Sequence, residues 1–153
     1  MRVENHIPRR PDGFERATDV IGDRWTLLVL REAFYGVRRY GEMARNLGIA
    51  RNVLAARLKA LVANGLLERR RYRTDPDWYE YVLTDAGRDL YGAIVAMLQW
   101  ADVYLPAAGE PQLRLRHRAC GHQIHAKVVC AACGKELDPR DVEVELADRA
   151  SAQ

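Results

Sequence analysis

Hydrophobic positions in this chain recur with a helical period over most of its length and change to strand composition at one place. Leu54, Leu58, Leu61 and Val62 fall at i, i+4, i+7 and i+8, so they share one helix face. Asn52, Ala55, Ala56 and Lys59 lie mostly on the other side, where small residues let the backbone approach a partner closely. Asn64-Gly65 closes the helix, because both residues tolerate the left-handed conformation of a last turn. Leu66–Arg73 and Trp78–Leu83 then have strand composition and flank the turn-rich Thr74-Asp75-Pro76-Asp77. A helix running straight into a basic hairpin predicts a winged helix-turn-helix.

Upstream, the pattern predicts three further helices. Phe14–Ile21 is amphipathic and stops at Gly22; Asp23 caps Arg24–Phe34. In that second helix Trp25, Leu27, Leu28, Val29 and Leu30 leave little polar surface, which places it in the middle of the core. Tyr40–Leu47 carries Tyr40, Met43, Ala44 and Leu47 at helical spacing, and Gly48 ends it at the helix-turn-helix corner. Downstream, Thr84-Asp85 opens one long helix to about Leu105, ended by Pro106. Its stripe of Leu90, Ile94, Met97, Leu98, Ala101 and Leu105, with Tyr91, Val95, Trp100 and Tyr104 elsewhere, exceeds what one wall of a small core absorbs. Either part of it faces a second copy of the chain or it lies over the N-terminal helix of its own chain.

The expected fold class is α+β, mainly α: a winged helix-turn-helix with a two-stranded wing, a long C-terminal dimerisation helix and a small ribbon-like tail. Residues 1–13 form an N-terminal arm, 14–106 the DNA-binding and dimerisation domain and 113–146 the tail, with Ala107–Gln112 as linker. No internal repeat stands out.

Charge narrows the function. Between Arg45 and Arg73 eight Lys and Arg stand against Glu68 alone, a local +7 in a chain whose formal net charge is +3. Positive charge gathered on one structural unit is the footprint expected of phosphate binding. A 48% hydrophobic and 29% charged composition in 153 residues suits one soluble globular domain with a small appendage. No apolar run approaches the roughly 18 residues of a membrane span, and the N-terminal arm lacks the apolar region of a secretory signal. A cytoplasmic location is expected.

The three cysteines all fall between Cys120 and Cys133, too few for a disulfide framework. His117-x-x-Cys120-Gly121 and Cys130-x-x-Cys133-Gly134 each read as a two-ligand knuckle, with Gln123–Val129 as a hairpin joining them. Four such ligands suit a closed, structural zinc site. His122 and His125 compete with His117 for the fourth position, and the gap between the pairs is short for a zinc ribbon. The other reading is a metal-free ribbon held by a hairpin and the packing of Leu113, Leu115, Val128 and Val129. No carboxylate stands at general-base spacing, so a catalytic zinc is not expected.

Several segments together resemble the HxlR-type bacterial winged-helix regulators. They are Asp19-Val20-Ile21-Gly22-Asp23-Arg24-Trp25-Thr26-Leu27-Leu28-Val29-Leu30-Arg31, Arg39-Tyr40-Gly41-Glu42-Met43, Leu54-x-x-Arg57-Leu58-x-x-Leu61-x-x-x-Gly65-Leu66 and Glu80-Tyr81-x-Leu83-Thr84-x-x-Gly87. The resemblance covers roughly Phe14 to Leu105, and the tail resembles one found on a subset of that family. It implies a homodimer on operator DNA, with the helix from about Ala50 in the major groove and the hairpin as wing. Three positions depart from the family pattern. Asp12 stands where many members carry a cysteine that some use for sensing, which excludes thiol sensing there. Ala50 replaces the usual small hydroxyl residue at the recognition-helix start, removing a cap worth about 1 kcal/mol. Trp78 stands at a wing position often held by arginine, where it would stack on sugar or pack under the wing.

The candidate DNA-binding residues are Arg38, Arg39, Arg51, Asn52, Lys59, Arg69, Arg71 and Arg73. Arg51 and Asn52 begin the recognition helix, where Arg reads guanine and Asn adenine, unless they serve only as phosphate contacts. Arg38 and Arg39 are candidate phosphate clamps and Lys59 a phosphate or solvent residue. Arg69, Arg71 and Arg73 alternate onto one face of the first wing strand. Arg57 either bridges to the wing or contacts DNA. Trp25 and Trp100 are expected as core and dimer aromatics, the alternative being that either lines an effector cavity. The expectation is a non-catalytic, dimeric transcriptional regulator, a repressor, on a double-stranded operator, with a small-molecule effector adjusting the two recognition helices. The rival expectation is a protein-interaction module docking on transcription machinery, which has no need of a local +7.

Overall fold

The computed structural model describes residues 12–105, 109 and 114–144. Most of the arm, the stop at Pro106, most of the linker and Leu113 lie outside the described residues. The chain divides into two compact units, one up to Ile94 and one from Val95 onward.

The first unit is the winged helix. α1 (Gly13–Ile21) begins at Asp12, whose carboxylate accepts the Glu15 N–H at 2.8 Å. α2 (Arg24–Phe34) begins at Asp23, which accepts from the N–H groups of Trp25 and Thr26. Side-chain acceptors at these positions satisfy donors that a helix start otherwise leaves unpaired. α3 (Tyr40–Leu47) turns through left-handed Gly48 into α4 (Arg51–Ala63), and neither helix has a side-chain cap. At α4 this follows from Ala50, which has no side-chain acceptor.

Asn64-Gly65 closes α4 as the sequence predicts. Gly65 has φ +71°, its N–H donates to Val62 O, and the Leu66 N–H reaches back to Leu61 O at 2.9 Å. This paired closure needs a left-handed residue, which glycine adopts without a Cβ clash. It turns the chain directly into β1 (Leu67–Arg73), which pairs antiparallel with β2 (Trp78–Leu83).

The core lies between α2, α3, α4 and the wing base. Val29, Leu30, Met43, Leu54 and Leu58 are wholly buried, joined by Leu61, Leu66 and Leu67. Each such side chain contributes roughly 1.5–3 kcal/mol by leaving water. α2 differs from its apolar expectation in one respect: Glu32 is buried within it. Its carboxylate accepts from Asn46 Nδ2 at 2.9 Å and Arg31 Nη2 at 3.1 Å, so the buried charge is paired within α2 and hydrogen-bonded across to α3.

The long helix expected from Thr84 is two helices, α5 (Asp85–Asp89) and α6 (Tyr91–Tyr104). α5 is seated on the base of the wing. Thr84 Oγ1 donates to Gly65 O at 2.5 Å and the Thr84 N–H to Leu66 O at 3.1 Å. A Cβ on Gly87 would lie 2.1 Å from Leu66 O, so only glycine permits that seating. Leu90 N–H donates to Gly87 O, a tightened turn that ends α5.

In the second unit the tail is a duplication. In the first half the His117 N–H donates to His122 O, Gly121 N–H to His117 O and Ile124 N–H to Leu115 O. Thirteen positions later, Cys130 N–H donates to Lys135 O, Gly134 N–H to Cys130 O and Leu137 N–H to Val128 O. Gly121 and Gly134 have φ +73° and +72°, and the bridges Arg116–Gln123 and Val129–Glu136 are equivalent. The sequence pairs the two knuckles but shows no longer repeat, because outside Ala-Cys-Gly the two halves share no identical residue. The hairpin expected over Gln123–Val129 is absent: the antiparallel bridges close within each half. The connecting segment is held instead by Gln99 of α6, which accepts from the Ala126 N–H at 2.6 Å and donates to Ala126 O at 3.2 Å.

Candidate nucleic-acid interface

Each cation expected on DNA has a definite surrounding. Arg51 and Asn52 are the first two residues of α4 and are exposed, as is Lys59 further along. The Tyr40 hydroxyl donates to Arg51 O at 2.6 Å, tying α3 to the start of α4. Arg39 immediately precedes α3, and its guanidinium lies over the Tyr72 ring, 5.1 Å from the centroid.

The wing spends much of its charge on itself. Arg70 donates twice to Glu80 Oε1, at 3.0 and 2.7 Å, which raises its pKa further above the ordinary guanidinium value. Arg38 reaches the other oxygen of Glu80 at 3.9 Å, and Arg71 reaches Asp77 at 3.4 Å. Arg69 lies over the Tyr79 ring, 3.6 Å from its centroid. Arg57 pairs with Asp23 at 3.1 Å, so it bridges to the start of α2 and not to the wing.

The expected single face of Arg69, Arg71 and Arg73 is interrupted. Arg71 pairs with Tyr79 and Arg73 with Trp78, leaving Tyr72 as the extra residue of a bulge. One additional residue reverses the alternation, so Arg73 leaves the face of Arg69 and Arg71. Among the described residues, Arg39, Arg45, Arg51, Lys59 and Arg73 have no carboxylate partner.

Three of those free cations line one cleft of about 790 Å³ between the helix-turn-helix and the wing. Arg39, Arg45 and Arg51 come from the helical side, and Tyr72, Trp78 and Tyr79 from the wing. Arg45 was part of the charge cluster in the sequence but was not singled out. Its place became apparent only once α3 was set against the wing.

Residues 20–108 match the sequence family described as HxlR-like helix-turn-helix. The chain belongs to the HxlR-like family. An uncharacterised HTH-type transcriptional regulator of Mycobacterium tuberculosis is 52% identical over 130 residues, covering 85% of this chain and 82% of that protein. The crystal structure of PA1607, a putative transcription factor, superposes with a TM-score of 0.79 at 37% identity, covering 90% of this chain and 96% of that one. The redox regulator HypR in its reduced form superposes with a TM-score of 0.58 at 29% identity, covering 62% of this chain and 95% of that one. This HxlR-like chain is therefore a helix-turn-helix transcription regulator of the DNA-binding kind. No helix among the described residues is long and apolar enough to cross a membrane. Asp12 is the cap of α1.

The tail places its four expected metal ligands as two pairs. His117 Nδ1 lies 3.4 Å from Cys120 Sγ. The Cys130 thiol is pushed below its ordinary pKa by the N–H of Cys133 first, then that of Ala132 and the Cys133 side chain. These donors favour a thiolate, the form that binds metal. Among the described residues, no three His, Cys, Asp or Glu side chains converge as a metal site. The donor types thus fit zinc within each pair, while the pairs stand apart. His117 corresponds in the repeat to Cys130, whereas His122 corresponds to Lys135.

Proposed function

We propose that this chain is a homodimeric repressor that binds operator DNA with α4 in the major groove and the wing at the adjoining minor groove. The observation that carries this reading is the set of unneutralised groups around the start of α4: Arg39, Arg45, Arg51 and Lys59, with Asn52 among them. Arg51 and Asn52 stand where a recognition helix presents base-reading side chains, and the flanking cations serve phosphates. A protein-docking module would not need this concentration of unpaired cations.

The second copy would pair along α6. Met97, Trp100, Val103, Tyr104 and Leu105 are all more than half exposed, and an apolar hollow of about 450 Å³ lies among Met97, Trp100 and Leu105. Two such faces brought together bury aromatic surface that is costly to leave in water. An effector would then act by changing the spacing of the two recognition helices.

In the tail, zinc held by His117, Cys120, Cys130 and Cys133 is the reading favoured by the duplicated knuckle. Two equivalent turns that each offer a ligand pair would have to draw together around one tetrahedral ion, which would then tie the halves as a structural site.

Selection of bound sequences from a random DNA pool, followed by titration at several salt concentrations, tests the central reading. The expected result is a two-fold symmetric consensus with half-sites about one helical turn apart. The log-log salt slope should be several units, at about −0.9 per phosphate contacted. Recovery of unenriched sequences, with affinity insensitive to salt, would overturn it.

A further inference from the structure

In a duplex, the major and minor grooves are separated by a single sugar–phosphate strand. If α4 enters one groove and the wing meets the next, that strand must pass between them. The cleft of about 790 Å³ occupies this position, bounded by α3 and the start of α4 on one side and by the wing on the other.

Its two walls are chemically different. The helical wall offers Arg39, Arg45 and Arg51, opposed by Glu42 as the one carboxylate on the lining. The wing wall offers aromatic rings. Trp78 and Tyr72 meet edge to face with centroids 6.4 Å apart, and Trp78 remains 47% exposed. The bulge at Tyr72 takes that residue out of the regular ladder, and Arg39 covers its ring. Cations on one wall match phosphate oxygens; aromatic surface on the other matches the carbon-rich face of deoxyribose.

We infer that this cleft receives one DNA strand, with Arg45 as a phosphate contact and Trp78 as a sugar contact across from it. The inference rests on the DNA-binding reading above and adds to it two residues and their separate roles. Wing arginines held by Glu80 and Asp77 are then secondary to the cleft.

The two roles differ in salt dependence, because a phosphate contact releases counterions and an apolar contact does not. Arg45→Ala should weaken binding to cognate and random duplex alike and make the log-log salt slope less negative by about 0.9 per subunit. Trp78→Ala should weaken binding roughly fivefold or more with the slope unchanged, and Trp78→Phe should recover most of it. In a Trp25→Phe/Trp100→Phe background, first shown by sedimentation and titration to remain dimeric and to bind duplex, Trp78 is the sole tryptophan, so its emission should change when duplex DNA is added. Wild-type binding with a steep slope while both Arg45→Ala and Trp78→Ala bind normally would overturn the cleft assignment alone. So would a base-selective loss in Arg45→Ala. Trp78 emission that ignores DNA but responds to benzoate would instead assign the cleft to a small aromatic anion. Loss of all DNA binding by the wild-type protein is a different outcome and would remove the DNA reading itself.

Discussion

The Tyr40 hydroxyl and the Arg51 carbonyl oxygen, 2.6 Å apart, join the first residue of α3 to the first residue of α4. α4 begins without a side-chain cap, so this bond is a polar constraint on where α4 starts. Tyr40→Phe keeps the ring and removes only the bond. Stability should fall by about 0.5–1.5 kcal/mol, and DNA affinity should fall because Arg51 and Asn52 are less well placed. Thermal melts beside duplex titrations check this; a variant with a lowered melting temperature and unchanged affinity would limit Tyr40 to a structural role.

Gly87 makes a sharper prediction. A Cβ there meets Leu66 O at 2.1 Å, and a backbone atom cannot rotate away. Gly87→Ala should destabilise the fold by about 1–3 kcal/mol through displacement of α5 from the wing base. Urea unfolding measures it. The neighbouring Gly92 has open space around its Cβ position, so Gly92→Ala should be neutral or mildly stabilising.

The α6 surface predicts the assembly. The rings of Trp100 and Tyr104 meet at a tilt with centroids 5.8 Å apart, and both residues are more than half exposed. Charges placed there by Trp100→Glu and Tyr104→Glu should give monomers in sedimentation and reduce operator binding by orders of magnitude, because two half-sites are no longer held together. Dimers persisting in the double variant would place the interface elsewhere.

For the tail, protein prepared without chelator should carry about one zinc per chain, measured by elemental analysis. Cys133→Ser and His117→Ala should each lower that content, while His122→Ala should leave it unchanged, since only His117 occupies the position equivalent to Cys130. Cobalt substitution supplies a second readout through thiolate charge-transfer absorption. Metal-free protein with both knuckles protected from amide exchange would show that the duplication holds itself without an ion.

What the sequence determined by itself was local. The 3.6-residue repeat of Leu54, Leu58 and Leu61, the Asn64-Gly65 stop and the Asp23 cap specify their elements through interactions within a few residues. The family motifs therefore led directly to a winged helix. Tertiary structure decided which charges remain available. Glu80 and Asp77 take up Arg70, Arg38 and Arg71, and Asp23 takes up Arg57, none of which a charge count reveals. A single bulge reversed the face of Arg73, and the close seating of Gly87 against Leu66 accompanied the division of one expected helix into two. The cleft exists only because α3 and the wing are brought together across the core. Charge pairing, strand register and close packing depend on residues distant in the chain, so their outcome belongs to the folded structure.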